Sequence, residues 1–357
     1  MKHMICSGKW WLMLLLLVMA VPFAQASEEK PNIVILATGG TIAGSGASSA
    51  NVSAYQSAVV GVDKLIAAVP ELKDVASVRG EQVFQIGSES FNNERWLTLA
   101  RRVSELQNSP DVDGIVITHG TDTMEETAYL LNLTLKSDKP VVLVGSMRPS
   151  TALSADGPLN LYNAVVVAAD PKASGMGVLV VMNDDIHSAR DVTKSSSLKV
   201  EAFHSLYGPL GEVVEGQPRF YRAPIRPHTT QSEFSVDDIA SMPEVDVVYT
   251  HGNMNRVPMD AFIAHGSKAL IWAGFGNGSV PDYMDAVLEE ARARGVFIVR
   301  TTRTGSGAVV RNGEAEDDKY DYIVVDDQNP AKARLLMALA LTKTTDTAKL
   351  QEIFWKY

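Results

Sequence analysis

The chain has 357 residues, 46% hydrophobic and 21% charged, with 26 Gly, 16 Pro and one Cys. That balance excludes a disordered chain, a collagen-like repeat and a disulfide scaffold, and the length suggests two domains that each bury a core. With 32 Lys and Arg against 42 Asp and Glu, the formal charge of −10 disfavours nucleic-acid and anionic-membrane surfaces and favours a small-molecule substrate.

Residues 1–26 read as a secretory signal: Lys2, His3 and Lys9 precede the apolar run Trp10 to Phe23, and Ala24-Gln25-Ala26 supplies small residues for cleavage after Ala26. An uncleaved anchor is the competing reading, but the run is short beside the roughly 20 residues of a membrane span. Cleavage removes Cys6, the one cysteine, so the mature chain has no disulfide, cysteine nucleophile or Cys-ligated metal.

Seven β-branched runs follow, at Asn32 to Ala37, Gly114 to Thr118, Pro140 to Val144, Gly177 to Met182, Val245 to Tyr249, Ala269 to Ala273 and Gly295 to Val299. Continuous apolarity predicts strands buried on both faces, as in a parallel sheet. Helical patterns alternate with them at Asn92 to Gln107, Asp122 to Leu135, Leu159 to Ala169 and Tyr283 to Arg294, and close the chain at Pro330 to Lys343 and Thr345 to Trp355. The class is α/β. The proline-rich stretch 218–243 is read as a linker between a domain at 31–217 and a second at 244–357.

Open α/β sheets bind ligands beyond the carboxyl ends of their strands, and two of these ends are rich in glycine and hydroxyls. They read Thr38-Gly39-Gly40-Thr41-Ile42-Ala43-Gly44 and Thr118-His119-Gly120-Thr121-Asp122-Thr123-Met124-Glu125-Glu126. Glycine lets the backbone approach a ligand, and a threonine beside it is a candidate nucleophile, provided a base is near. The bland alternative is a helix cap, with Thr121 or Asp122 as N-cap and Glu125 or Glu126 completing a capping box. A phosphate-binding loop is a third reading, weakened because neither G-x-x-x-x-G-K-[ST] nor G-x-G-x-x-G occurs. His119 fits a packed residue as well as a catalytic one.

Together with Gly145-Ser146-Met147-Arg148-Pro149, Ser154-Ala155-Asp156-Gly157, Arg190-Asp191-Val192-Thr193-Lys194 and the ending Ile353-Phe354-Trp355-Lys356-Tyr357, the two turns closely resemble the bacterial type II L-asparaginases. Gly44-Ser45-Gly46-Ala47-Ser48 and Tyr55-Gln56 resemble most the periplasmic glutaminase-asparaginase branch. The resemblance implies a flavodoxin-like or Rossmann-like N-terminal domain, a smaller C-terminal α/β domain and a periplasmic homotetramer with shared sites. It also implies threonine-dependent hydrolysis of L-glutamine and L-asparagine without metal or cofactor.

Residue by residue, the resemblance assigns Thr41, Tyr55 and Glu314 of a neighbouring subunit to one triad, and Thr121, Lys194 and Asp122 to a second. Ser88 and the N–H groups around Thr121 would hold the substrate α-carboxylate; Glu89, Asp122 and Glu314 would hold its ammonium. Glu89 and Ser279 stand where strict asparaginases commonly carry glutamine and asparagine, and both choices resemble dual-specificity enzymes. A strict L-asparaginase is the alternative, and a non-catalytic periplasmic amino-acid binding protein a remote one.

Overall fold

The computed structural model describes residues 29–357, and Pro31–Tyr357 forms one compact unit. The proposed signal at residues 1–26 lies outside the described residues. The chain runs through β1 (Asn32–Gly39), β2 (Ser45–Gly46), β3 (Tyr55–Gln56), α1 (Val62–Ala67), α2 (Leu72–Val75), β4 (Ser77–Ile86), α3 (Asn93–Gln107), β5 (Gly114–Thr118) and α4 (Met124–Thr134). Next come β6 (Val141–Val144), α5 (Gly157–Ala169), β7 (Val178–Met182), β8 (Asp185–Ser188), β9 (Val192–Lys194), β10 (Phe203–Ser205), β11 (Gly211–Val214) and β12 (Gln217–Phe220). The remainder is β13 (Val245–Tyr249), α6 (Val257–His265), β14 (Ala269–Gly274), α7 (Asp285–Ala293), β15 (Phe297–Thr302), α8 (Asp317–Tyr320), β16 (Ile323–Val324), α9 (Pro330–Ala340) and α10 (Thr347–Lys356).

Eight strands make the larger sheet, in the order β12-β11-β8-β7-β6-β5-β1-β4. From β4 to β7 the neighbours are parallel; β8, β11 and β12 extend that edge antiparallel. Within the parallel part the order is that of a flavodoxin-like sheet: the chain steps from β1 to β4 on one side, then returns across β1 to β5 on the other. The switch point therefore lies between β1 and β5, and the crevice beyond their carboxyl ends is where such sheets bind ligands. The smaller sheet is parallel throughout, β13-β14-β15-β16.

Side-chain alternation along β1 explains its unbroken apolarity. Ile33, Ile35 and Ala37 enter a core with Val116, Val142 and Val165, while Val34 and Leu36 enter another with Leu99, Ile117 and Leu130. Each face is thus covered by helices, as a parallel sheet requires. The second of these cores continues through Leu336 of α9 to Ile271 and Val299 of the smaller sheet. The stretch 218–243 is packed: Phe234, Val236, Ile239 and Met242 are buried in that same core.

All seven expected strands are present, as are the six expected helices with ends displaced by a few residues. Asn92 starts α3, its side chain accepting a hydrogen bond from Arg95 N at 2.9 Å. Strand β4 was not legible as an apolar run because it pairs only with β1 at the sheet edge and carries Arg79, Glu81 and Gln82. Helix α6 was equally hidden, since Met259 is its one buried residue.

Candidate active site

The two glycine turns meet at the switch point. Gly39 and Gly40 leave β1 with φ of 113° and 79°, values open to glycine and strained for other residues. A Cβ on Gly40 would stand 2.3 Å from Gly120 Cα, and one on Gly120 would stand 2.6 Å from Ser88 Oγ. No side chain fits at either position. The backbones that present Thr41 and Thr121 are therefore packed directly on each other, with Ser88 behind them.

Each threonine hydroxyl has its own partner. Thr41 Oγ1 and Tyr55 OH share a hydrogen bond of 2.6 Å. Tyr55 lies on β3, paired with β2, and a Cβ on Gly44 would come within 2.9 Å of the Tyr55 ring, so glycine there admits the phenol. Lys194 Nζ donates to Thr121 Oγ1 at 2.8 Å and to Asp122 Oδ1 at 2.6 Å. Thr41 and Thr121 are buried, the Lys194 side chain is mostly buried at 16% exposure, and Asp122 is open to solvent at 59%. The result is two hydroxyl groups just beyond the ends of adjacent strands, each joined to a titratable side chain.

Ser88 ties the second turn down: its Oγ accepts from Asp122 N at 3.1 Å and its carbonyl accepts from Thr123 Oγ1 at 2.8 Å. Glu89 is exposed, with its carboxylate folded over Gly87, where a Cβ would fall 2.2 Å from Oε1.

A capping box does not form. The N-cap of α4 is Thr123, without a side-chain cap bond, and Glu125 turns away to accept from Lys194 N at 2.6 Å and from Asn329 Nδ2 at 2.8 Å. Glu126 instead pairs with Arg334 at 3.2 Å, and burial raises its pKa.

His119 is a packed residue. A carbonyl only accepts, so the 2.7 Å contact with Gly120 O puts the proton on Nδ1, leaving Nε2 to accept from Thr127 Oγ1 at 3.0 Å. Thr127 Oγ1 in turn accepts from Trp96 Nε1 at 2.9 Å, and the imidazole lies against Phe91, with ring centroids 4.6 Å apart. Complete burial lowers its pKa to about 4. It stays neutral and holds the turn.

Ser279 and Glu314 lie together beyond the smaller sheet, Ser279 Oγ donating to Glu314 Oε2 at 3.3 Å. Among the described residues no hydrogen bond joins this pair to Thr41, Thr121 or Lys194, and Glu314 is exposed. Beneath them Arg300 and Asp317, which sequence reasoning missed, form a fully buried ion pair at 2.6 Å. A cavity of about 640 Å³ lined by Tyr129, Arg190, Tyr207, Asp327 and Tyr357 contains none of the expected site residues.

Comparison with known proteins identifies the family. Residues 32–226 match the family described as "Asparaginase, N-terminal" and residues 244–354 match "Glutaminase/Asparaginase C-terminal domain". The chain is 56% identical over 350 residues to a glutaminase-asparaginase of Pseudomonas fluorescens biotype A, covering 97% of each. It is 54% identical over 361 residues to one of Pseudomonas aeruginosa, covering 99% of each. The crystal structure of a probable cytoplasmic L-asparaginase from Campylobacter jejuni superposes with a TM-score of 0.89 at 47% identity, covering 92% of this chain and 100% of that one. With both family domains matched and the strand-end turns in place, the chain belongs to the asparaginase family.

Proposed function

We propose that the protein hydrolyses the side-chain amides of L-glutamine and L-asparagine to glutamate or aspartate and ammonia, through an ester on threonine. The observation that carries this reading is the pair of hydroxyls at the switch point, each within hydrogen-bond distance of its own titratable partner: Thr41 with Tyr55 and Thr121 with Lys194. Two relatives named glutaminase-asparaginase, matched over nearly their whole length, support the dual substrate.

In the proposed chemistry a threonine oxygen adds to the amide carbon while its proton passes to the adjacent base. Main-chain N–H groups of the glycine turns stabilise the resulting oxyanion, a contribution on the order of 10²-fold per donor. The carbon–nitrogen bond then breaks, and the leaving nitrogen takes a proton from the protonated base. Water adds to the ester, regenerating the threonine and releasing the carboxylate. Asp122, bonded to Lys194 at 2.6 Å, orients Lys194 Nζ so that the lone pair of its amine form faces the Thr121 hydroxyl.

The substrate carries a carboxylate and an ammonium. Ser88, with the uncapped N-terminus of α4, supplies a donor-rich pole for the first. Glu89, Asp122 and the neighbouring subunit's copy of Glu314 supply a negative pole for the second, which makes the functional unit a homo-oligomer, a tetramer by family resemblance. The mature chain begins after Ala26 and acts in the periplasm, with an N-terminal domain at 31–217, a linker at 218–243 and a C-terminal domain at 244–357.

The test is direct. Purified mature protein should release ammonia from both amides; absence of ammonia from either would reject the dual assignment, and absence from both the whole reading.

A further inference from the structure

Lys194 sits on a strand that the larger sheet does not hold. β9 pairs only with β10, three residues against three, and an isolated two-stranded ribbon is marginal in water. Yet placing Nζ between Thr121 and Asp122 requires a fixed backbone, and that backbone is gripped from two helices. From α4, Glu125 Oε2 accepts from Lys194 N at 2.6 Å. From the start of α9, Asn329 Nδ2 donates to Glu125 Oε1 at 2.8 Å and to Thr193 Oγ1 at 3.5 Å. Two residues into that helix, Lys332 Nζ donates to Arg190 O at 2.7 Å and to Val192 O at 2.5 Å.

Lys332 is costly where it stands. Its side chain is fully buried, which pushes its pKa down to about 8, and it occupies the first turn of α9, the end where a helix dipole disfavours a cation. Glu125, Asp191 and Asp327 offset part of that penalty and Arg190 adds to it, while the ring of Tyr129 lies 5.8 Å from the ammonium. What the cation accomplishes is local: it clamps the two carbonyls that flank Asp191, two and four residues before Lys194.

We propose that Lys332, together with Glu125 and Asn329, is a positioning group for the second triad, holding residues 190–194 so that Lys194 Nζ meets Thr121 and Asp122. This rests on Lys194 serving as the base for Thr121. Lys332 touches neither substrate nor reacting atoms; it acts through the backbone of β9.

A double-mutant cycle tests the inference on the full mature enzyme, with oligomeric state and circular dichroism verifying the fold. Lys332→Met should lower kcat for asparagine by at least about tenfold while KM changes by less than about threefold. In a Lys194→Met background the same substitution should change the residual kcat by less than about twofold, because a group that acts only through Lys194 has nothing left to position. Equal losses in both backgrounds, or a KM effect without a kcat effect, would overturn the proposal. Should Lys332→Met fail to fold, Glu125→Gln carries the test: it keeps the shape but sets an amide N–H₂ against a donor, Lys194 N or Asn329 Nδ2, and wild-type kcat there overturns the proposal. If Lys194→Met itself stays within tenfold of wild type, the assignment of the base falls, and the positioning role with it.

Discussion

Arg300 and Asp317 lie side by side in the smaller domain, Nε to Oδ1 and Nη2 to Oδ2 both at 2.6 Å, with no side-chain surface reaching solvent. The same arginine donates to the carbonyls of Asn277 and Gly278, and the same aspartate accepts from Asn312 N at 2.7 Å. One ion pair thereby anchors both loops that carry Ser279 and Glu314. Removing one partner of a buried pair strands the other charge and costs about 3–5 kcal/mol. Asp317→Ala should show a loss of that size in urea unfolding, together with a raised KM; a loss below about 1 kcal/mol would mean that water reaches the guanidinium.

The two hydroxyls should be separately indispensable. Thr41→Ala and Thr121→Val are each expected to lower kcat by at least about 10²-fold, or roughly 2.7 kcal/mol of barrier, with folding retained. Steady-state ammonia release measures it, and activity within tenfold of wild type would remove that threonine from the mechanism.

Specificity should respond at the amino-acid end of the pocket. Ser279→Asn with Glu89→Gln is expected to shift relative kcat/KM towards asparagine by about 1–3 kcal/mol, the range that one methylene commands. An unchanged ratio in the double mutant would exclude both positions as determinants.

Glu314 is exposed and unconnected to Thr41 within one chain, as a residue serving a neighbour's site would be. Thr41→Ala and Glu314→Ala subunits should each be impaired alone, yet co-refolded mixtures contain sites with neither defect. Their activity should exceed the sum of the parents. Strictly additive activity in verified mixed oligomers would assign Glu314 to its own chain's site or to none.

Acid should destabilise the fold through histidine. Burial holds both His119 and His187 neutral, with pKa values lowered from 6.5 to about 4. Between these values the unfolded chain binds more protons than the folded one, so stability is complete above pH 6.5 and falls as pH drops towards 4. The slope approaches about 1.4 kcal/mol per pH unit for each histidine. Comparing unfolding free energies of wild type and His187→Gln across pH 4.5 to 7.5 checks this; a difference independent of pH would contradict it.

The buried strands and the two threonine turns were legible because each departs from background composition in a few consecutive residues. The supports of the site were not. Asn329-Pro330 reads as a helix start, and Asn329 does accept from Lys332 N at 2.9 Å, but nothing local announces that its amide also reaches Glu125. Lys332, inside Ala331-Lys332-Ala333-Arg334, reads as a solvent-facing lysine; its burial follows from β9 crossing above it. Arg300 did leave a cue, a charge within the otherwise uncharged run Phe297-Ile298-Val299-Arg300-Thr301-Thr302. Such a residue inside a buried strand needs a counter-ion, though spacing alone does not name Asp317.

The contact between Gly40 and Gly120 has a practical corollary for altering this enzyme. Because main chain touches main chain at Gly40 and Gly120, the spacing of the two turns is set by backbone contact and leaves no side chain there to trim or enlarge. Tailoring the pocket to a longer or shorter amide is therefore work for the two proposed specificity positions, Glu89 and Ser279. The threonine turns offer no room for a single added carbon.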